Sequence, residues 1–240
     1  MRLLALLMLL LAAHATAAAP RILRLSTISH EPVGDTAFRV LQRAYRQLGI
    51  EPELVHLPAI RALAAANGGD TDGDVARYPD IERDNRNLLR VPVAIMQLQV
   101  SAVTTGPRFA ISGRASLAPY SLCIRRGIQP TDDYTAGLTR FAANSDLQSL
   151  AMLRAGRCQV ALFSQYSWLA IDAANGGPLR LLAPPLLHMT LYHYLHRRHA
   201  ALLPRISRVL RAMRQRGEIQ RIVAQAEVPL HQARQRQTLR

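Results

Sequence analysis

LPAIRALAAANGGDTDGDVARYPDIERDNRNLLRVPVAI, residues Leu57 to Ile95, is the stretch that decides the fold. Pro58 suits the opening of a short helix, and the glycine pair 68–69 ends it. A short strand is predicted from Gly73 to Tyr78, and a long apolar strand begins near Leu89 after a charged surface segment. This alternation of helix and strand is typical of an α/β protein.

Two arginines stand near the ends of these predicted elements. Arg61 lies in the first turn of the helix, and Arg77 lies near the end of the short strand. Two guanidinium groups fixed in this way can hold a small carboxylate or a similar anion in a cleft. Most arginines are solvated surface charges, so that alternative stays open from these residues alone.

The residues before this stretch predict a βαβ unit. A strand is expected from Arg21 to Ile28, then a helix capped by Asp35 or Thr36, then a second strand from Pro52 to Leu57. A strand, a helix and a strand within about 35 residues predict a parallel sheet.

Ligands of open α/β sheets lie beyond the carboxyl ends of the strands. The loop after the first strand, with Ser29, His30 and Glu31, therefore belongs to the same edge as Arg61 and Arg77. We expect a binding site at this edge.

The segment from Leu89 to Thr105 is apolar but contains Pro92, so we interpret it as an extended crossing rather than one strand. A second α/β pattern follows, with strands at Tyr120 to Arg125, Arg140 to Ala143 and Cys158 to Phe163, and a helix at Asp146 to Ala155.

The start of that helix carries a capping signal. Ser145 and Gln148 have the spacing of a capping box. The free N–H groups of such a helix end can also bind an anion, so a plain cap and an anion site with Asn144 remain alternatives.

The two cysteines, Cys123 and Cys158, each lie in an apolar run that reads as a strand. Export to an oxidising compartment would permit a disulfide if the two strands are neighbours. Two buried thiols are the alternative, because the sequence does not give the Cα separation.

The amino-terminal residues predict export. Arg2 precedes an apolar run that is too short to span a bilayer, and small residues follow it. We expect residues 1–18 to be a signal peptide cleaved near Ala17 and Ala18, and the mature protein to lie in the periplasm. Residues 231–240 are predicted to be a flexible basic tail.

The net charge is +14, and all 30 lysine or arginine residues are arginine. A basic surface of this kind suits binding to nucleic acid. The chain carries no nucleic-acid-binding motif and only 5% aromatic residues, so a solvated basic surface is the better interpretation. Neither the aspartates of DTDGD (70–74) nor the histidines of HYLHRRH (193–199) have metal-site spacing, so we expect no metal. No motif indicates a cofactor or a catalytic residue.

The order of these segments resembles that of periplasmic solute-binding proteins of the type II fold, in extracellular solute-binding family 3. LPAIRALAAANGGDTDGDVAR (57–77) resembles the signature P-x-x-R-A-L…G-x-x-D-G-(acid)-x-x-R of one branch. SLCIRRG (121–127) resembles the first strand of the second lobe, and NSDLQSLAMLRAGRCQVALF (144–163) resembles its helix-to-strand unit.

The resemblance implies two α/β lobes that close on a solute, as in a Venus flytrap. Lobe 1 would comprise residues 19–105 and 188–230, and lobe 2 residues 106–187, with hinge crossings near residues 104–107 and 184–190. The implied ligand-binding residues are Arg77 as the main anion clamp, with Arg61, Ser29, His30, Glu31, Tyr120, Asn144, Ser145 and Tyr166.

Two positions depart from the family pattern. Gln159 stands where the family has an acid, and Ser164 with Gln165 replaces the carboxylate that holds a ligand ammonium. An anionic or other polar solute therefore fits as well as an amino acid.

We interpret the chain as a monomeric solute-binding protein, not an enzyme, that serves an ABC transporter permease or a membrane sensor. The alternatives are a dehydratase-like enzyme using Glu31, His30 or Asp74, and a signalling module that has lost its ligand.

Overall fold

The computed structural model describes residues 21–168, residue 171 and residues 179–227. The predicted signal peptide and basic tail lie outside this part of the chain. No helix within it is long and apolar enough to cross a membrane.

The first lobe is built around a parallel βαβ unit, as predicted. Strand β1 pairs in parallel with both β2 and β3, so their carboxyl ends lie at one edge. The elements are β1 (Arg21–Ile28), α1 (Pro32–Arg46), β2 (Ile50–Leu57), α2 (Ala59–Gly68) and β3 (Gly73–Arg77). Gly69 takes a left-handed φ of 88° and ends α2, which confirms the predicted glycine break.

The predicted cap of α1 at Asp35 or Thr36 is wrong. The helix begins at Pro32, because proline at the first helical position sacrifices no hydrogen bond. Glu31 is the N-cap residue, and its side chain makes no capping hydrogen bond. The Asp35 carboxylate instead lies 2.8 Å from Nε2 of His56.

Strand β4 runs unbroken from Leu88 to Thr104, contrary to the expectation that Pro92 would exclude a single strand. Its pairing with β9 (Leu187–His196) shifts register between Arg90 and Ala94, and Pro92 lies exposed in that irregular part. A proline lacks an N–H donor, so an irregular position in a ladder tolerates it.

Strands β4 and β9 (Leu187–His196) form the connection between the lobes. They are antiparallel along most of their length, from Leu88 beside His196 to Val100 beside Leu187. From Val100 onward β4 pairs with β7 (Val160–Ser164) of the second lobe. The predicted lobe boundaries at residues 105 and 188 remain predictions.

The second lobe repeats the α/β pattern. Its elements are β5 (Leu122–Arg125), α3 (Gln129–Tyr134), β6 (Arg140–Ala143), α4 (Asp146–Arg154), β7 (Val160–Ser164) and β8 (Arg180–Leu181). Strand β5 is parallel to β6 and β7, so a second set of carboxyl ends faces the first lobe. The sheet order is β2-β1-β3-β9-β4-β7-β5-β6, with β8 on β4.

The remaining described elements are the helical residues 165–168 and 171, short 3-10 helices and the closing helices. They are the 3-10 helices Ile81–Arg83, Arg114–Leu117 and Arg197–Leu202, helix α5 (Leu203–Gln215) and helix α6, residues 218–227.

A disulfide joins Cys123 of β5 to Cys158, just before β7, with a Cα separation of 5.7 Å. The two strands are parallel neighbours, which was the condition for the predicted bond. Leu150, Leu153 and Phe163 pack around it in one of the apolar clusters of the second lobe. The core of the first lobe is separate and lies under α1 and α5.

Candidate functional site

Arg77 lies at the carboxyl end of β3 and is almost fully buried, with 4% of its side chain exposed. Its Nη2 donates to Oδ2 of Asp74 at 2.9 Å and to the carbonyl oxygen of Ala59 at 3.4 Å. Its Nε has no hydrogen-bond partner among the described residues. A guanidinium at this depth is held in one orientation, because both of its acceptors belong to the surrounding fold.

Arg125 occupies the equivalent place in the second lobe, at the carboxyl end of β5, with 6% of its side chain exposed. Its Nη1 lies 3.3 Å from Asp146, the first residue of α4. Its Nη2 donates to the carbonyl oxygen of Ser29 at 2.7 Å, which belongs to the first lobe. Arg125 therefore bridges the two lobes directly.

Glu31 lies beside Arg125 and within electrostatic range of Arg77. A carboxylate oxygen is 3.9 Å from Nη1 of Arg125, and Glu31 also interacts electrostatically with Arg77. Burial raises the pKa of Glu31 to about 7, because desolvation outweighs the attraction of Arg125 and Arg77, and the Asp146 carboxylate raises it further. Glu31 is therefore only partly ionised near neutral pH.

This raised pKa predicts a pH-dependent stability. The folded chain binds the Glu31 proton more tightly than the unfolded chain, so the stabilisation is complete below about pH 4.5 and is lost as the pH rises through about 7. We expect the free energy of unfolding of the wild type, relative to Glu31→Gln, to fall by about 2 kcal/mol between pH 5 and pH 8.

Urea denaturation at several pH values measures this difference. Glu53→Gln, at an exposed position of β2, is the control and should show no such trend. A constant difference between the wild type and Glu31→Gln across this range would contradict the assignment.

The second-lobe side of the site is fixed by a chain of hydroxyl groups. Ser164 donates to Oγ of Ser167 at 3.0 Å, and Ser167 donates to Oδ2 of Asp146 at 2.5 Å. Asp146 also faces Arg125, so its carboxylate is held from two sides. Ser164 thus supports Asp146 through Ser167.

The lobes also touch beside this cluster. A Cβ atom on Gly127, which follows β5, would lie 2.9 Å from Cγ1 of Ile60 and 3.2 Å from Cβ of Ala59, in the first turn of α2. Gly127 also has a φ of 81°, which disfavours other residues. A glycine here permits close approach of the two lobes.

Of the residues predicted for the site, the structure brings together Ser29, Glu31 and Arg77. His30 is next to them but is exposed, with a left-handed φ of 57°. It has no described contact with Arg77.

Three predicted residues lie away from this cluster. Arg61 is exposed on α2 and borders a separate shallow pocket with Arg24 and Asp70. Tyr120 precedes β5, at the opposite end from Arg125, and stacks on a neighbouring ring. Tyr166 is buried in the first-lobe core and borders a cavity of about 420 Å³ against α6.

The helix end at Asn144 and Ser145 is a capping box with one variation. Oγ of Ser145 accepts from the N–H of Gln148 at 3.1 Å, as predicted. The Gln148 side chain accepts from the N–H of Asn144 at 2.7 Å rather than from that of Ser145. Two N–H groups proposed for an anion are therefore already bonded within the helix end.

Arg125 and Asp146 are the site residues that sequence reasoning missed. A signal was present, because Arg125 ends a predicted strand just before a glycine, as Arg77 ends another. Asp146 directly follows the predicted cap Ser145, so it also lies at the carboxyl edge.

Comparison with known proteins identifies the fold. No family model matches the sequence. An uncharacterized protein of Shewanella oneidensis is 26% identical over 196 residues, which are 78% of this chain and 74% of that protein. An ancestral arginine-binding protein bound to arginine matches with a TM-score of 0.74 at 12% identity, covering 87% of this chain and 99% of that one. A histidine kinase sensor domain with similarity to periplasmic binding proteins matches with a TM-score of 0.74 at 15% identity, covering 86% and 96%. The chain therefore has the predicted two-lobe fold of periplasmic binding proteins.

Proposed function

We propose that this protein is a periplasmic solute-binding protein that captures a small polar or anionic solute between its lobes. The observation that carries the proposal is the buried Arg77, whose Nε donor has no acceptor among the described residues. It lies at the strand edge where open α/β sheets bind ligands, beside residues of the opposite lobe. A solute at this place contacts both lobes and stabilises the closed state.

The protein delivers its solute to a membrane partner. The fold is shared with a histidine kinase sensor domain and with the substrate-binding protein of an amino acid ABC transporter.

A screen of ligands by thermal shift tests this function. Amino acids, polyamines and small organic acids should be added to the mature protein, each at about 100 times an expected Kd. A bound solute should then raise the free energy of unfolding by about 2.7 kcal/mol, or a few degrees in Tm. If no compound in these three classes shifts the melting temperature, the proposed function is wrong.

The second candidate is an enzyme on the same fold, and one observation favours it. Burial raises the pKa of Glu31 to about 7, which suits a general acid or base at neutral pH. Incubating the stabilising solute with the protein and following it by NMR separates the two functions. Conversion of that solute, lost in Glu31→Gln, would favour the enzyme.

A further inference from the structure

Among the described residues, the site formed by Arg77, Arg125 and Glu31 has two buried hydrogen-bond donors without acceptors. Arg77 and Arg125 each have a buried Nε–H that lacks a partner among the described residues. Leaving such a donor unpaired costs about 1–3 kcal/mol, and more when the group is charged. A solute that completes this site must therefore supply acceptor atoms.

The fixed carboxylates of the cleft are already engaged. Asp74 accepts from Arg77 at 2.9 Å, and Asp146 accepts from both Arg125 and Ser167. Neither can turn to a ligand ammonium without breaking a buried ion pair.

Among the described carboxylates near Arg77 and Arg125, Glu31 is held more loosely than Asp74 and Asp146. Its distance of 3.9 Å from Nη1 of Arg125 is too long for a hydrogen bond, although the two groups form an ion pair. It also belongs to a loop and a helix cap, and its side chain does not cap that helix. A rotamer change can therefore move it without disturbing a strand.

We propose that the solute is a small organic acid whose carboxylate replaces that of Glu31 between Arg77 and Arg125. This inference rests on the proposed function and narrows its ligand class. Arg125 becomes the residue of the second lobe that determines specificity, and Glu31 becomes an internal competitor for the same two guanidinium groups.

A cationic solute would reverse the roles of Glu31 and Arg125. Glu31 would then remain in place and pair with the ligand, and Arg125 would repel it. The two arrangements therefore predict opposite effects of Glu31→Gln on affinity.

Isothermal titration calorimetry at pH 7 distinguishes them. The probes are organic acids of increasing size from acetate to citrate, including succinate, with succinamide and putrescine as neutral and cationic counterparts of succinate. L-Arginine is the amino-acid probe with a cationic side chain. We expect at least one acid to bind, and succinamide and putrescine not to bind.

Three variants test the residue assignments with the acid that binds best. Arg125→Gln should weaken its binding about 10- to 100-fold, since hydrogen bonds to a charged group are lost. Arg126→Gln, at the exposed neighbouring position, should leave Kd unchanged. Glu31→Gln should tighten binding several-fold, because it removes the ionised fraction of Glu31 that competes for the same guanidinium groups. This variant remains informative if Arg125→Gln fails to fold.

The outcomes separate the inference from the proposed function. Binding of putrescine or L-arginine without any acid overturns the inference and leaves the solute-binding function standing. Weaker acid binding by Glu31→Gln, or an unchanged Kd in Arg125→Gln, also overturns it. If no organic acid binds, the inference is wrong, and the thermal-shift screen over all three classes decides on the solute-binding function.

Discussion

Replacing Arg77 by alanine should abolish stabilisation by the solute and destabilise the protein by about 3–5 kcal/mol, because the change leaves Asp74 as an unpaired buried charge. Asp74 has no exposed surface, and its pairing with Arg77 at 2.9 Å is deeply buried. Urea denaturation measures the loss of stability, and thermal shift with the solute measures the loss of binding. Arg83→Ala, at an exposed ion pair, should change stability by less than about 1 kcal/mol.

The two effects of this substitution can be separated. In the double variant Asp74→Asn with Arg77→Gln, no unpaired charge is buried, so much of the lost stability should return. The guanidinium is still missing, so the solute should still fail to bind. A double variant that keeps the full thermal shift with the solute would show that Arg77 is not the clamp.

Removing the disulfide should destabilise the protein by about as much as Arg77→Ala does. The bond between Cys123 and Cys158 closes a loop of 35 residues, and in the chain-entropy account a loop of this length contributes about 4 kcal/mol. For a protein of this size, that loss corresponds to a fall in Tm of roughly 8–16 °C. Calorimetry of Cys123→Ala with Cys158→Ala against the wild type measures it.

The reducing agent provides the control for the disulfide. Dithiothreitol should lower the Tm of the wild type towards that of the double variant and should not change the Tm of the double variant. Equal melting temperatures of the wild type and the double variant without reductant would mean that the bond contributes nothing to stability.

The fold was predictable because its signals are local. The glycine pair 68–69 ends α2 through a backbone conformation that glycine adopts readily. The strand-helix-strand spacing of residues 21–57 predicts parallel pairing, and the structure has it. The prediction that Pro92 excludes a single strand was wrong, because the effect of a proline on β4 depends on the pairing partner rather than on its neighbours in sequence.

The site was predictable only in part, because it is assembled across the lobes. Arg77 was found from its place at a strand end. Arg125 contacts Ser29, which is 96 residues away in the chain, and no local pattern specifies that contact.

Two of the predicted site residues lie away from the cluster for reasons that local structure explains. The buried residues of α2 are Ala59, Ala62 and Ala66, so helical periodicity places Arg61 towards solvent. Tyr120 precedes its strand, so the rule of carboxyl ends assigns it to the opposite edge.

The pairing of β4 with β9 has a mechanical consequence. Residues 97–100 and 187–190 are hydrogen-bonded neighbours, so the two crossings between the lobes form one double-stranded strap rather than two separate tethers. Such a strap resists stretching and shear along the ladder, but it flexes readily perpendicular to the sheet. The lobes should therefore swing about a single axis, and the distance between Arg77 and Arg125 should report that swing directly.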